Sequence, residues 1–126
     1  MAFIYYNPNP TGKHTGDCVI QAICKVLNQP WEETFVGLAG VGILLYETIE
    51  SNTVWDMYLL QHGFKRYSIP NTCPLCYTVE DFCLDHPQGT YVLGTGNHAV
   101  AVVDGDIYST WDCSNEIPIV YYEKEE

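Results

Sequence analysis

The chain has 126 residues, of which 16 are Asp or Glu and 5 are Lys or Arg, so its formal net charge is −11. A hydrophobic content of 47% is that of a globular domain and excludes disorder as the main state. A field of this sign repels phosphate backbones and anionic lipids, so neither nucleic acid nor a membrane surface is predicted as a partner.

The sequence contains no stretch that approaches the ~20 consecutive apolar residues of a membrane span. Its first eight residues also lack the basic start and the apolar run of a signal peptide. We therefore predict a cytoplasmic protein that forms one domain over residues 1–126. The six cysteines are then expected to be mostly reduced thiols, and no cofactor is predicted.

The first half of the chain predicts helices. Residues 3–6 predict a short strand, and the prolines and glycine of residues 7–13 predict an irregular arm. Apolar residues at helical spacing then predict three helices, at about Asp17–Leu27, Trp31–Tyr46 and Thr53–His62. Glycines inside the second of these predict a weak point or a kink.

The second half of the chain predicts mainly strands. A strand at Phe64–Ile69 is followed by a turn at Cys73–Cys76 and a short helix that Thr78 caps. Four more strands are predicted, at residues 90–94, 98–103, 106–111 and 117–122, before a frayed acidic end at residues 123–126. Helices followed by strands indicate the α+β class, here with a small antiparallel sheet.

Cys18 lies on the first turn of the first predicted helix. The positive end of the helix dipole favours a thiolate there, and the free amides of the turn can hold an oxyanion. Asp17, just before it, is expected to cap some of these amides. Such a position suits a nucleophile, but an ordinary buried thiol in a helix is the commoner case. Cys18 therefore needs a partner elsewhere in the chain.

A cysteine nucleophile needs a general base, and His98 is the best placed of the four histidines. It begins an apolar strand just after a loop of small residues, with a hairpin turn at Asp104-Gly105 behind it. A two-residue turn puts Trp111 opposite His98, and a three-residue loop puts Asp112 there. Either register brings Asp112 near the imidazole, so Asp112 is the predicted orienting acid.

Asn115 is the reserve for this orienting role. Taken alone, His98 is more simply explained as a structural histidine of a strand. The order of Cys18, His98 and Asp112 along the chain favours a catalytic site.

The order Cys18, His98, Asp112 resembles that of papain-like cysteine peptidases. The segment 15–23 looks like the cysteine helix of small bacterial and phage members. It also resembles the residues that lead into the catalytic cysteine of ovarian-tumour-type deubiquitinases. Residues 97–102, followed by a polar residue beside Trp111, look like the strands of that family that bear its histidine and its Asn or Asp. The resemblance implies a papain-like fold and a Cys18–His98–Asp112 triad that hydrolyses a peptide or isopeptide bond.

One position departs from the pattern of that family. Its members commonly place a Gln about six residues before the nucleophile, where the side chain donates to the oxyanion, and this chain has Gly12 there. The Cys18 amide is then expected to act with a residue of the arm. The candidates are Asn7, Asn9 and His14.

A second cluster offers zinc ligands. Cys73, Cys76, Cys83 and His86 are residue types that zinc accepts, but their spacing is unlike that of common zinc knuckles. Chance is the simpler explanation, and no metal is predicted. Two alternatives to a hydrolase stay open: a catalytically silent papain-like domain that binds a partner through the same cleft, and a zinc-stabilised interaction module.

Overall fold

The structure, a computed structural model, describes residues 1–125. Its helices are α1 (Cys18–Leu27), α2 (Trp31–Leu45), α3 (Asn52–Gln61) and α4 (Val79–Asp85). Its strands are β1 (Phe3–Tyr5), β2 (Phe64–Ser68), β3 (Thr90–Gly94), β4 (Ala99–Val103), β5 (Asp106–Ser109) and β6 (Val120–Lys124). The predicted α+β class is confirmed, and most element bounds lie within a few residues of the prediction.

The six strands form one sheet in the order β1-β5-β4-β3-β6-β2. The prediction of a small antiparallel sheet is wrong in one respect, because β1 pairs with β5 in parallel, with Phe3 opposite Ile107. A parallel neighbour needs a long crossover connection, so no local turn signal announces it in the sequence. The sheet is therefore mixed.

Helices cover the two faces of the sheet unequally. In β4, Ala99 and Ala101 pack into the larger core, which α1, α2 and α3 also fill. Val100 and Val102, which alternate with them, pack into a second core with α4. Three helices therefore lie on one face of the sheet and α4 lies on the other.

Helix α2 runs without interruption from Trp31 to Leu45, so its three glycines do not break it. A Cβ added at Gly37 would lie 2.5 Å from the Tyr58 ring, and one at Gly42 would lie 2.6 Å from the carbonyl oxygen of Glu47. These two glycines thus allow close packing. No helix within residues 1–125 is long and apolar enough to cross a membrane.

The acidic end is more ordered than predicted. β6 continues to Lys124, which pairs with Phe64 of β2, and the Glu125 amide donates to the carbonyl of Gly63 at 2.8 Å. The predicted fraying is therefore wrong for residues 123–125, because ladder bonds to β2 hold this segment. Glu126 lies outside the described residues.

Candidate active site

Cys18 lies on the wall of a large cleft. It is the first residue of α1 and is half-buried. The cleft has a volume of about 1210 Å³ and is called the Cys18 cleft below. The N-terminal arm, the starts of α1, α2 and α3, and the loop between β3 and β4 form its walls. His98 lies on the same cleft, so two of the three predicted catalytic residues share it.

Asp17 does not cap α1, and the predicted capping bond is wrong. Its carboxylate instead accepts hydrogen bonds from Gln21 Nε2 and Trp31 Nε1, both at 2.7 Å. The Asp17 carboxylate therefore accepts from these two side chains and not, as predicted, from the backbone amides of the first turn of α1. The first turn of α1 therefore has no side-chain cap, and its amides stay available for an anion beside Cys18.

His98 sits beside the tip of the β3–β4 hairpin and is only 8% exposed. Its carbonyl accepts from the Thr95 amide at 2.9 Å, which continues the β3–β4 ladder by one residue. His98 directly precedes β4 and lines the Cys18 cleft. The imidazole lies against the ring of Trp111, with 4.6 Å between the ring centroids.

The hairpin register agrees with this placement. Val103 pairs with Asp106, so the turn has the two residues Asp104 and Gly105, and Trp111 lies opposite His98. Of the two predicted registers, this is the one with the two-residue turn. Asp104 and Gly105 have φ values of 51° and 78°, as a type I′ turn requires.

Cys18 and His98 are not joined. Within residues 1–125, no hydrogen bond links Cys18 Sγ to the imidazole, and His98 Nε2 is buried without a partner. Burial lowers the pKa of His98 below its ordinary value of 6.5, and the charge of Glu116 opposes that effect. His98 is therefore neutral at pH 7, the form that can accept a proton.

Asp112, the predicted orienting acid, is placed away from the cleft. It is exposed, and its Oδ1 accepts from the Ser114 amide at 3.0 Å. In the described part of the chain, it makes no hydrogen bond to His98. Asn115, the reserve, is exposed as well.

Glu116 is the acid whose charge acts on His98, and the sequence analysis did not find it. Its Oε1 accepts from Thr95 Oγ1 at 3.0 Å, and Thr95 in turn bonds to the His98 carbonyl. Its own amide donates to the carbonyl of Cys113 at 3.0 Å, which closes a turn after β5. Strand register could not predict this position, because the chain between β5 and β6 is irregular.

Of the three arm residues considered for the oxyanion, Asn9 lines the Cys18 cleft. Asn9 Oδ1 accepts from the amide and the hydroxyl of Thr11, at 2.9 and 2.8 Å. These bonds fix the orientation of the amide and leave Asn9 Nδ2 as its donor group. Asn7 Nδ2 is already used, because it donates to the Lys13 carbonyl at 3.2 Å. His14 is exposed outside the cleft.

The wall of the cleft farther from α1 carries a polar network that the sequence did not suggest. Tyr122 Oη donates to Asp56 Oδ1, and Arg66 Nε lies 3.4 Å from the same oxygen. Burial and the Asp56 carboxylate raise the pKa of Tyr122. The network ties α3 to β6 and β2 and so fixes this wall of the cleft.

The remaining free cysteines are all buried: Cys24, Cys83 and Cys113. Burial raises the pKa of Cys83 to about 11 and that of Cys113 to about 12, and it raises the pKa of Cys24 as well. Thiols in this state are poor nucleophiles near neutral pH.

The candidate zinc ligands are not assembled. Cys73 and Cys76 are joined by a disulfide, a departure from the expected reduced state. Cys83 is buried in the second core, and His86 Nδ1 donates to the carbonyl of Phe82 at 3.0 Å. Within residues 1–125, no group of three or more potential ligands is placed to hold a metal ion.

The Cys18 cleft therefore combines a half-buried thiol at an uncapped helix start, a neutral histidine and an amide donor at Asn9. Comparisons of the chain with protein-family models, with curated proteins and with solved structures gave no match. The function is accordingly inferred from the residues of this cleft.

Proposed function

We propose that the protein is a papain-like thiol hydrolase in which Cys18 attacks the carbonyl carbon of a peptide or isopeptide bond. One observation carries the proposal. Among residues 1–125, Cys18 is the one free cysteine that is not buried, and it opens a helix on a cleft of about 1210 Å³. A thiol in that position has both a substrate-sized space and free backbone amides beside it.

The reaction has two steps. Cys18 first gives its proton to the neutral His98, and the resulting thiolate adds to the carbonyl carbon. The amides of the uncapped first turn of α1 hold the oxyanion, with Asn9 Nδ2 as a second donor. The C–N bond then breaks, the amine leaves with a proton from the His98 imidazolium, and a thioester forms on Cys18. Water gives a proton to His98 and adds to the thioester carbon. The C–S bond then breaks, the acid is released, and Cys18 is left as a thiolate beside the His98 imidazolium.

His98 has to turn for this role. Its imidazole rests against Trp111, whereas the reaction requires a nitrogen within hydrogen-bond reach of Cys18 Sγ. Catalytic hydrogen bonds are often long or poorly aligned without substrate and tighten when it binds. Glu116 is the acid proposed to stabilise the imidazolium, because its charge raises the pKa of His98, and Asp112 is the alternative that the sequence predicts.

A second candidate is a binding module that uses the same cleft without hydrolysis. The observation that favours it is the contact of His98 with Trp111. The imidazole packs against that ring, and within residues 1–125 no hydrogen bond joins it to Cys18. In such a module Trp111 and His98 would form a fixed structural pair.

The pH dependence of alkylation separates the two candidates. Iodoacetamide labelling of Cys18, followed by peptide mapping, is measured from pH 5 to pH 9 for the wild type and for His98→Ala. His14→Ala is the matched control, since His14 is exposed outside the cleft. For a hydrolase, reactivity should persist well below the ordinary thiol pKa of about 8.5, and His98→Ala should cut the rate at pH 6.5 by about tenfold or more.

The control should behave like the wild type. A single inflection near pH 8.5 that is the same in the wild type and in His98→Ala would contradict the hydrolase and support the binding module. Cys24 is buried six positions later in α1. If Cys18 is labelled no faster than Cys24, the hydrolase is likewise contradicted.

A further inference from the structure

The Cys18 cleft has a wall of aromatic rings and carboxylates that the hydrolytic steps do not use. We propose that this wall selects substrates that carry a positive charge beside the scissile bond, as a Lys or Arg side chain does. The inference rests on the proposed hydrolase and adds its substrate class. It is carried by Trp31, Phe35, Glu32 and Glu50, all of which line the cleft.

The rings supply a surface for an aliphatic stem. Trp31 and Phe35 are stacked, with 5.3 Å between their centroids and 24° between their planes. The bond from Trp31 Nε1 to Asp17 fixes the first ring, and Phe35 is 39% exposed. The methylene groups of a Lys or Arg side chain pack well on such a surface, and the cationic head gains further from the ring face.

The carboxylates supply the charge. Glu32 and Glu50 are exposed, and in the described part of the chain neither forms an ion pair. Two basic side chains line the cleft, Lys13 and Arg66. Arg66 forms an ion pair with Asp56, so Lys13 is the remaining cation of the lining. A substrate carboxylate bound here would be repelled by the carboxylates of Glu32 and Glu50. An ammonium or guanidinium group would be attracted by them and could donate hydrogen bonds to them.

The whole chain adds to this local preference. The six charged residues that line the cleft carry a net charge of −2, because four are acidic and two are basic: Asp17, Glu32, Glu50, Asp56, Lys13 and Arg66. The chain as a whole carries −11. A concave, partly apolar site within such a field concentrates cations and repels anions.

Charged thiol reagents test the selection directly at Cys18. The Cys18 thiolate attacks the sulfenyl sulfur of a methanethiosulfonate, a disulfide forms, and methanesulfinate leaves with the electron pair of the broken S–S bond. Three reagents are compared: methyl, 2-(trimethylammonium)ethyl and 2-sulfonatoethyl methanethiosulfonate. Each rate is divided by that of N-acetylcysteine amide with the same reagent, which removes the intrinsic difference between reagents.

The normalised rate of the cationic reagent should exceed that of the anionic reagent about fivefold or more at low ionic strength, and the ratio should fall toward one in 1 M salt. The double variant Glu32→Gln/Glu50→Gln should lower the ratio at least about twofold. The neutral reagent reports any change in the thiolate itself and serves as the reference within each variant.

Glu33→Gln is the matched control for Glu32→Gln. It lies next to Glu32 on α2 and removes the same charge, but Glu33 does not line the Cys18 cleft. Only the Glu32 change should lower the ratio. A wild-type ratio near one, or an equal effect of Glu33→Gln, would overturn this inference and leave the hydrolase standing. A Cys18 that reacts with none of the three reagents would overturn both.

Discussion

The carboxylate of Asp17 joins α1 to α2, since one oxygen accepts from Gln21 Nε2 and the other from Trp31 Nε1. Asp17 is only 7% exposed and directly precedes Cys18. The same side chain therefore fixes both the start of the helix that carries the thiol and an aromatic ring that lines the same cleft.

Asp17→Asn should destabilise the protein. An asparagine keeps one acceptor oxygen but places an amide donor opposite a second donor, so a buried polar group loses its partner. We expect a loss of about 1–3 kcal/mol in the free energy of unfolding, measured by urea denaturation. Asp112→Asn is the control, because that side chain is exposed, and it should change the value by less than about 0.5 kcal/mol. Equal losses would contradict the role assigned to Asp17.

Two glycines of α2 should respond oppositely to alanine. At Gly37 an added Cβ would lie 2.5 Å from the Tyr58 ring, so Gly37→Ala should cost about 1–3 kcal/mol. At Gly40 nothing lies within 4 Å of an added Cβ, so Gly40→Ala should stabilise the helix by about 0.5–1 kcal/mol. Thermal unfolding of both variants checks this. Destabilisation by Gly40→Ala would mean that this face of α2 is covered by something else.

His98 should make the fold sensitive to mild acid. Burial lowers its pKa in the folded state, whereas the unfolded chain has the ordinary value of 6.5. Below pH 6.5 the unfolded state binds a proton at His98 that the folded state does not bind. The contribution of the neutral His98 to folding stability is therefore complete above pH 6.5 and is lost as the pH falls. The loss is about 1.4 kcal/mol for each pH unit between the two pKa values.

The measurement is urea unfolding at pH 7.5 and pH 5.5 for the wild type and for His98→Gln. The variant should lose less stability between the two pH values than the wild type does. His14→Gln, which alters an exposed histidine, should keep the wild-type difference. Equal losses of unfolding free energy in His98→Gln and the wild type would contradict this role of His98.

Glu116 and Asp112 can be compared as partners of His98. Because the charge of Glu116 favours the imidazolium, Glu116→Gln should lower the pKa of His98, which NMR titration of the ring measures. Asp112→Asn should leave it unchanged, since that carboxylate bonds to the Ser114 amide. The reverse pattern would establish Asp112 as the orienting acid that the sequence predicts.

The elements that the sequence predicted well are those with a local signal. The spacing of apolar residues in α1 and the Asp104-Gly105 turn each depend on neighbours a few positions away. The turn then fixed the position of Trp111 opposite His98, because a two-residue loop leaves one register.

The features that the sequence missed depend on distant partners. Asp17 was expected to cap its own helix, but Trp31 competes for its carboxylate from the next helix. Glu116 acts on His98 from an irregular segment whose course no periodicity describes. The parallel partner of β1 and the Tyr122–Asp56 bond likewise join residues far apart in the chain.

The pairing of β1 with β5 has a consequence for the order in which the protein assembles. β1 (Phe3–Tyr5) precedes its sheet neighbour β5 (Asp106–Ser109) by roughly a hundred residues, so β1 cannot pair until β5 has been synthesised. The arm that follows β1 forms one wall of the Cys18 cleft, so that wall is set only when β5 is in place. Cys18 is therefore synthesised well before the wall beside it is in place.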